Sequence, residues 1–156
     1  MLKLDIPGFK KLNIEHLVLD FNGTIARDGT ITKQVKDKIN EIAEFLNVYI
    51  LTADTFESAK EELKGVNGKL IILDQMDQAA QKAQVVEELN PLHTIAIGNG
   101  RNDMRMLSFA AIGITVLNQE GASGQTLTSS DIICRNIMEA MELLENPGRI
   151  KATLRA

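Results

Sequence analysis

Along this chain, short apolar runs rich in β-branched residues alternate with stretches whose apolar side chains recur every three or four positions. The runs at 17–20, 48–52, 69–73, 94–98, 112–116 and 131–134 are mostly continuous in their apolar character, as expected of strands covered on both faces. Between them, Thr32 is placed to cap a helix whose inner face is Val35, Ile39, Ile42 and Leu46. Further helical patterns lie at about 56–63, at 103–110, at 136–145 and after Pro147. Another, at 77–89, sets Ala79, Ala83, Val86 and Leu89 on one face and stops before Pro91. Strand–helix alternation of this kind predicts an α/β fold, a three-layer, Rossmann-like parallel sheet with helices on both faces. Residues 1–13 read as an added edge strand or arm, and 121–124 as a turn. No linker or repeat interrupts 1–156, so a single core domain is expected.

Composition narrows the setting. The 156 residues are 44% hydrophobic and 24% charged, enough to bury a core without covalent staples. Cys134 is the single cysteine, so no internal disulfide forms and a reducing, cytoplasmic location is expected. The first residues lack the apolar segment of a secretory signal. The longest apolar stretch, 109–117, is about half of what a membrane span needs. A net charge of -4, with no tryptophan and one tyrosine, offers nucleic acid little attraction.

Ligands of parallel sheets bind beyond the carboxyl ends of the strands, so the residues following each strand carry the chemistry. They are Asp20-Phe21-Asn22-Gly23-Thr24, Thr52-Ala53-Asp54, Asp74-Gln75 and Gly98-Asn99-Gly100-Arg101-Asn102-Asp103. Alone, the first run reads equally well as a turn, since Asn, Gly and Thr are common turn residues. The last run is no dinucleotide fingerprint, because Asp103 stands where the third glycine belongs. His16 and His93 have no partners at metal-ligand spacing, and Cys134 has no activating neighbours, so these read as structural.

Taken in order, these runs resemble the haloacid dehalogenase-like (HAD-like) superfamily, most of all the phosphorylation domain of P-type ATPases. Asp20, Gly23 and Thr24 match the family's Asp-x-x-Gly-Thr. Leu51-Thr52-Ala53-Asp54 is similar to the ATPases' Leu-Thr-Gly-Asp, Lys82 to the lysine ahead of a helix, and 98–103 to Gly-Asp-Gly-x-Asn-Asp. The resemblance implies a Mg²⁺-dependent phosphohydrolase in which Asp20 becomes an aspartyl phosphate. It implies catalytic roles for Asp20, Asn22, Thr52 and Lys82. Substrate contacts fall to Gly23, Thr24, Ala53 and Asn102, and the Mg²⁺ ligands to Asp20, the main-chain carbonyl of Asn22, Asn99 and Asp103.

Two positions depart from the pattern. Asn22 stands where the family's phosphatases carry an aspartate that acts as general acid and base, an aspartate that P-type ATPases also lack. General acid–base help is worth roughly 10²–10⁴ in rate, so substrates with good leaving groups are expected. Asn99 stands where the family usually gives the metal an aspartate, which removes one negative charge. The intervals between motifs leave no room for a cap or a nucleotide domain, so an open site is expected. It would take a phosphorylated small molecule or macromolecule, or be closed by a second copy in a homo-oligomer. A catalytically weak regulatory or binding module, or a soluble accessory related to P-type ATPases, is the alternative.

Overall fold

Leu17, Val18 and Leu19 are buried on both faces of one strand, and the architecture follows from that burial. The computed structural model describes residues 1–54 and 56–156. A hairpin comes first, β1 (Leu2–Ile6) paired antiparallel with β2 (Lys10–Ile14). Then follow β3 (His16–Asp20), α1 (Lys33–Ala43), β4 (Asn47–Thr52), α2 (Phe56–Glu62), β5 (Lys69–Ile72) and α3 (Gln78–Glu88). The second half holds β6 (Thr94–Gly98), α4 (Met104–Phe109), β7 (Ile112–Val116), α5 (Gly124–Ser129), β8 (Ile132–Cys134), α6 (Ile137–Glu145) and α7 (Pro147–Leu154).

Strands β3 to β8 form one parallel sheet in the order β5-β4-β3-β6-β7-β8. Alternation along each strand splits the core into two layers. Leu17, Leu19, Ile95 and Ile97 pack with Val35, Ile39 and Ile42 of α1 and Ala140, Met141 and Leu144 of α6. Val18, Leu51 and Ala96 face the other way, toward Val86 of α3 and Met106 and Leu107 of α4. The expected three layers are therefore present, and the described residues show no cap over the sheet.

Thr32 caps α1 as expected, its hydroxyl accepting the Val35 N–H at 3.4 Å. Asp77 and Asn136, the expected first residues, are the side-chain caps of α3 and α6, which begin one residue later. Two local readings change. The segment expected as an edge strand or arm is a hairpin forming its own two-stranded sheet, because Leu12 and Ile14 of β2 bury alongside Leu2, Leu4 and Ile6. The turn at 121–124 runs into α5, anchored by Thr126, whose buried hydroxyl donates to the Gly100 carbonyl at 2.8 Å.

β3 is the strand where the chain's direction of travel across the sheet reverses, since its neighbours are β4 on one side and β6 on the other. Their carboxyl ends, at Asp20, Thr52 and Gly98, open on one crevice, as expected at a topological switch point.

Candidate active site

Asp20 closes β3 and is only 7% exposed. The chain leaves the strand in a tight loop, with the Phe21 carbonyl accepting N–H groups from Thr24, Ile25 and Ala26. Gly23 makes the loop possible twice over. Its φ of +80° is a left-handed conformation that suits glycine, and a Cβ there would stand 2.5 Å from Asn99 Nδ2.

Opposite Asp20, the first turns of α3 bring in Lys82, which is 2% exposed. Its ammonium donates at 2.6 Å to Asp20 Oδ1 and at 2.6 Å to Asp103 Oδ1. A buried cation between two carboxylates is stable only because each partner offsets the charge of the others. Burial works against the charged lysine, but the two carboxylates outweigh it and hold its pKa above the usual lysine value. Burial, then the nearby Asp103 carboxylate, push the Asp20 carboxyl up to about 7, against the pull of Lys82 and of the Thr24 hydroxyl.

Asp103, expected among the cation's ligands, is tied to Lys82 and to the loop after β6. It is fully buried, with Oδ1 on Lys82 and Oδ2 accepting the N–H groups of Asn99 at 3.0 Å and Gly100 at 2.9 Å. Both oxygens are engaged inside the protein, so Asp103 positions Lys82 and the loop after β6. Thr24 likewise does not line the cleft. Its hydroxyl donates to Asp20 Oδ2 at 3.0 Å and lies 3.3 Å from Asn99 Oδ1, which fixes the second oxygen of Asp20. Gly23 contributes its backbone shape, and its own N–H is taken by the Ala26 carbonyl.

The cleft itself holds about 370 Å³ and is lined by Asp20, Asn22, Thr52, Ala53, Lys82, Asn99 and Asn102, which joins the catalytic residues expected from sequence. The Thr52 oxygen accepts the Asp54 N–H at 3.1 Å, which leaves its hydroxyl hydrogen to donate. Asn102 bridges Gln78, to which it donates at 2.8 Å, and Lys82, from which it accepts at 3.4 Å. The Asn22 amide donates to Asp54 Oδ2 at 2.5 Å.

Among the described residues, no three His, Cys, Asp or Glu side chains converge as a metal cluster. A cation here must therefore use amide and carbonyl oxygens as well as carboxylates. The donors suit one. Asp20 is a hard carboxylate, the Asn22 carbonyl receives no hydrogen bond among the described residues, and the Asn99 amide nitrogen is held by the Gly121 carbonyl at 2.9 Å, leaving Oδ1 toward Thr24. Oxygen donors of this type, completed by waters, match Mg²⁺.

Several cleft residues escaped the sequence reading. Asn118 ties the nucleophile loop to α6, donating to the carbonyls of Gly23 at 2.9 Å and Thr24 at 2.7 Å while accepting the Ile137 N–H at 3.0 Å. Glu120 and Gln78 line the cleft. Asn118 and Glu120 follow β7, so the strand-end rule that pointed to the other loops applies to them as well.

Comparisons agree with this geometry. The haloacid dehalogenase-like hydrolase family matches residues 30–136, more than half of the chain. A soluble P-type ATPase-like phosphatase of Methanocaldococcus jannaschii is 25% identical over 138 residues, covering 84% of this chain and 50% of that protein. The chain thus spans half the length of that relative. A cobalt-bound deoxy-D-mannose-octulosonate 8-phosphate phosphatase of Haemophilus influenzae superposes with a TM-score of 0.72 at 11% identity, over 92% of this chain and 94% of that one. A 3-deoxy-D-manno-octulosonate 8-phosphate phosphatase of Moraxella catarrhalis, solved with magnesium, phosphate and KDO, gives 0.65 at 21% identity over 91% and 94%. At such identities the structural likeness speaks for the fold. No helix of the described residues is long and apolar enough to cross a membrane.

Proposed function

The chain belongs to the haloacid dehalogenase-like hydrolases, and on that premise we propose that it is a Mg²⁺-dependent phosphohydrolase working through an aspartyl phosphate on Asp20. The observation that carries this reading is Lys82, buried and hydrogen-bonded at 2.6 Å to both Asp20 and Asp103 at the switch point of the sheet. An ammonium in that place offsets the charge that builds up when a carboxylate approaches a phosphoryl group.

In the first half-reaction an Asp20 carboxylate oxygen bonds to phosphorus as the bond to the leaving oxygen breaks, and the leaving group departs with that electron pair. The Thr52 hydroxyl and the Ala53 N–H donate to phosphoryl oxygens. Lys82 stays charged throughout, since two carboxylates hold its proton. Asp20, the Asn22 carbonyl and Asn99 would hold Mg²⁺, which would supply positive charge to offset that of the phosphoryl group. In the second half-reaction water attacks phosphorus, inorganic phosphate leaves and the Asp20 carboxylate is restored. Asn22 has no proton to give to the leaving group and cannot accept one from the water, so both halves run without that help. The reading therefore includes a preference for acyl, anhydride or aryl phosphates. The open cleft suits a phosphorylated substrate of either size, with a second subunit of a homo-oligomer as its cover, in a reducing cytoplasm where Cys134 stays a thiol.

A screen of phosphate compounds with Mg²⁺, run on wild type and Asp20→Ala, tests the proposal. Turnover in wild type that disappears in the variant is expected. Turnover that survives in Asp20→Ala refutes the nucleophile. A second reading, a phosphate-binding regulatory module, is favoured by the paired losses at Asn22 and Asn99. Phosphate binding without turnover of any substrate class, including aryl phosphates, would select it.

A further inference from the structure

The loop after β7 is fastened to both motif loops. On one side of Glu120, Asn118 donates to the carbonyls of Gly23 and Thr24. On the other side, the Gly121 carbonyl accepts Asn99 Nδ2 at 2.9 Å and the Ser123 N–H donates to the Asn99 carbonyl at 2.9 Å. Glu120 is thus held between anchors one and two residues away, and its position follows from theirs.

Its carboxylate lies over the nucleophile loop. The point where a Gly23 Cβ would stand is 2.7 Å from Glu120 Oε2, 2.5 Å from Asn99 Nδ2 and 2.8 Å from Asn99 Oδ1. The ends of both side chains therefore stand within 3 Å of one point above the Gly23 backbone, in the wall of the cleft that holds Asp20. Among the described residues Glu120 has no ion pair and no hydrogen bond. An uncompensated carboxylate in the wall of a phosphate site repels the substrate unless a cation lies between them.

We propose that Glu120 supplies the cation site with the negative charge that Asn99 does not carry. The amide at 99 offers an oxygen and Glu120 the charge, so two residues from neighbouring strand-end loops do the work of one aspartate. This rests on the reading of the cleft as a Mg²⁺ site. Besides the strain of its φ angle, a Cβ at Gly23 would stand against the flexible ends of both side chains. The ligand class is a hard divalent cation, Mg²⁺ or Mn²⁺, whose affinity follows the number of charged ligands.

The test is Mg²⁺ binding, measured by calorimetry and by the Mg²⁺-dependent rise in melting temperature, in wild type, Glu120→Gln, Asn99→Asp, the double variant and Asp20→Asn. Glu120→Gln is expected to weaken binding roughly tenfold or more, with the melting temperature in chelator unchanged because the side chain is exposed. Asn99→Asp is expected to tighten binding, and in its background Glu120→Gln should have a smaller effect. Wild-type affinity in Glu120→Gln, together with lost affinity in Asp20→Asn, overturns the role of Glu120 and leaves the cation site standing. Unchanged affinity in both variants, or no Mg²⁺ binding by wild type, overturns the cation site and the role of Glu120 with it.

Discussion

Replacing Asn22 by aspartate restores a titratable group at the position where proton transfer to a leaving group is lost. The surroundings make the outcome more specific than a change of one atom. The Asn22 amide nitrogen lies 2.5 Å from Asp54 Oδ2, so Asn22→Asp brings two carboxyl groups into contact. At 4 Å and an effective dielectric of 20, two unit charges repel by about 4 kcal/mol. Screening at this exposed position lowers that, and the contact favours one proton shared between the two groups. A carboxyl group that shares a proton in this way supplies the general acid that Asn22 does not. Hydrolysis of an alkyl phosphate should rise roughly 10²- to 10⁴-fold, a barrier lowered by about 2.7 to 5.4 kcal/mol. An aryl phosphate, whose leaving group departs without a proton, should change little. The assay is kcat for a matched alkyl and aryl pair from pH 5 to 9, on wild type and variant. Alkyl turnover that stays within about twofold of wild type, or an aryl rate that rises equally, refutes the assigned role of position 22.

Two further outcomes follow from the buried triad. Lys82→Met leaves the Asp20 and Asp103 carboxylates together without a cation, which should cost about 3–5 kcal/mol; a loss below about 1 kcal/mol in urea unfolding would contradict the arrangement. Asp20 has a folded pKa of about 7, above its unfolded value near 4. Its contribution to stability is thus full below about pH 4 and is lost as pH rises toward and through 7. In chelator, the difference in stability between wild type and Asp20→Asn should shift against wild type over that range. Mg²⁺ should then stabilise wild type more at pH 8 than at pH 5, and a Mg²⁺ effect independent of pH would show that Asp20 is not the titrating ligand.

Much of this architecture was legible in the pattern of apolar residues, because buried parallel strands show as unbroken runs. β6 and β7 match their expected bounds, and the other sheet strands differ by a residue at one end. Lys82, Thr52 and Asp20 were found from strand ends and motif order. What escaped was of another kind. The second strand of the hairpin is a five-residue run with only Leu12 and Ile14 buried, too short for its period to show without its partner. Asn118 acts through the loops it fastens and Glu120 is carried by that fastening, and a loop's partners are fixed by tertiary packing. The partners of Asp103, which are Lys82 and the N–H groups of Asn99 and Gly100, are set by the same packing.

The order of strands in the sheet also governs when the proposed site is assembled. Lys82 lies 62 residues beyond Asp20, and Asn99 lies 75 residues beyond Thr24. A ribosome adding about 5–20 residues per second leaves an interval of several seconds in which the nucleophile exists without its ammonium. During that interval Asp20 is an ordinary aspartate in water, ionised and unreactive toward phosphate. Its burial waits for β6, the strand on its far side, so a nascent chain is chemically silent until synthesis has passed the loop that carries Asp103.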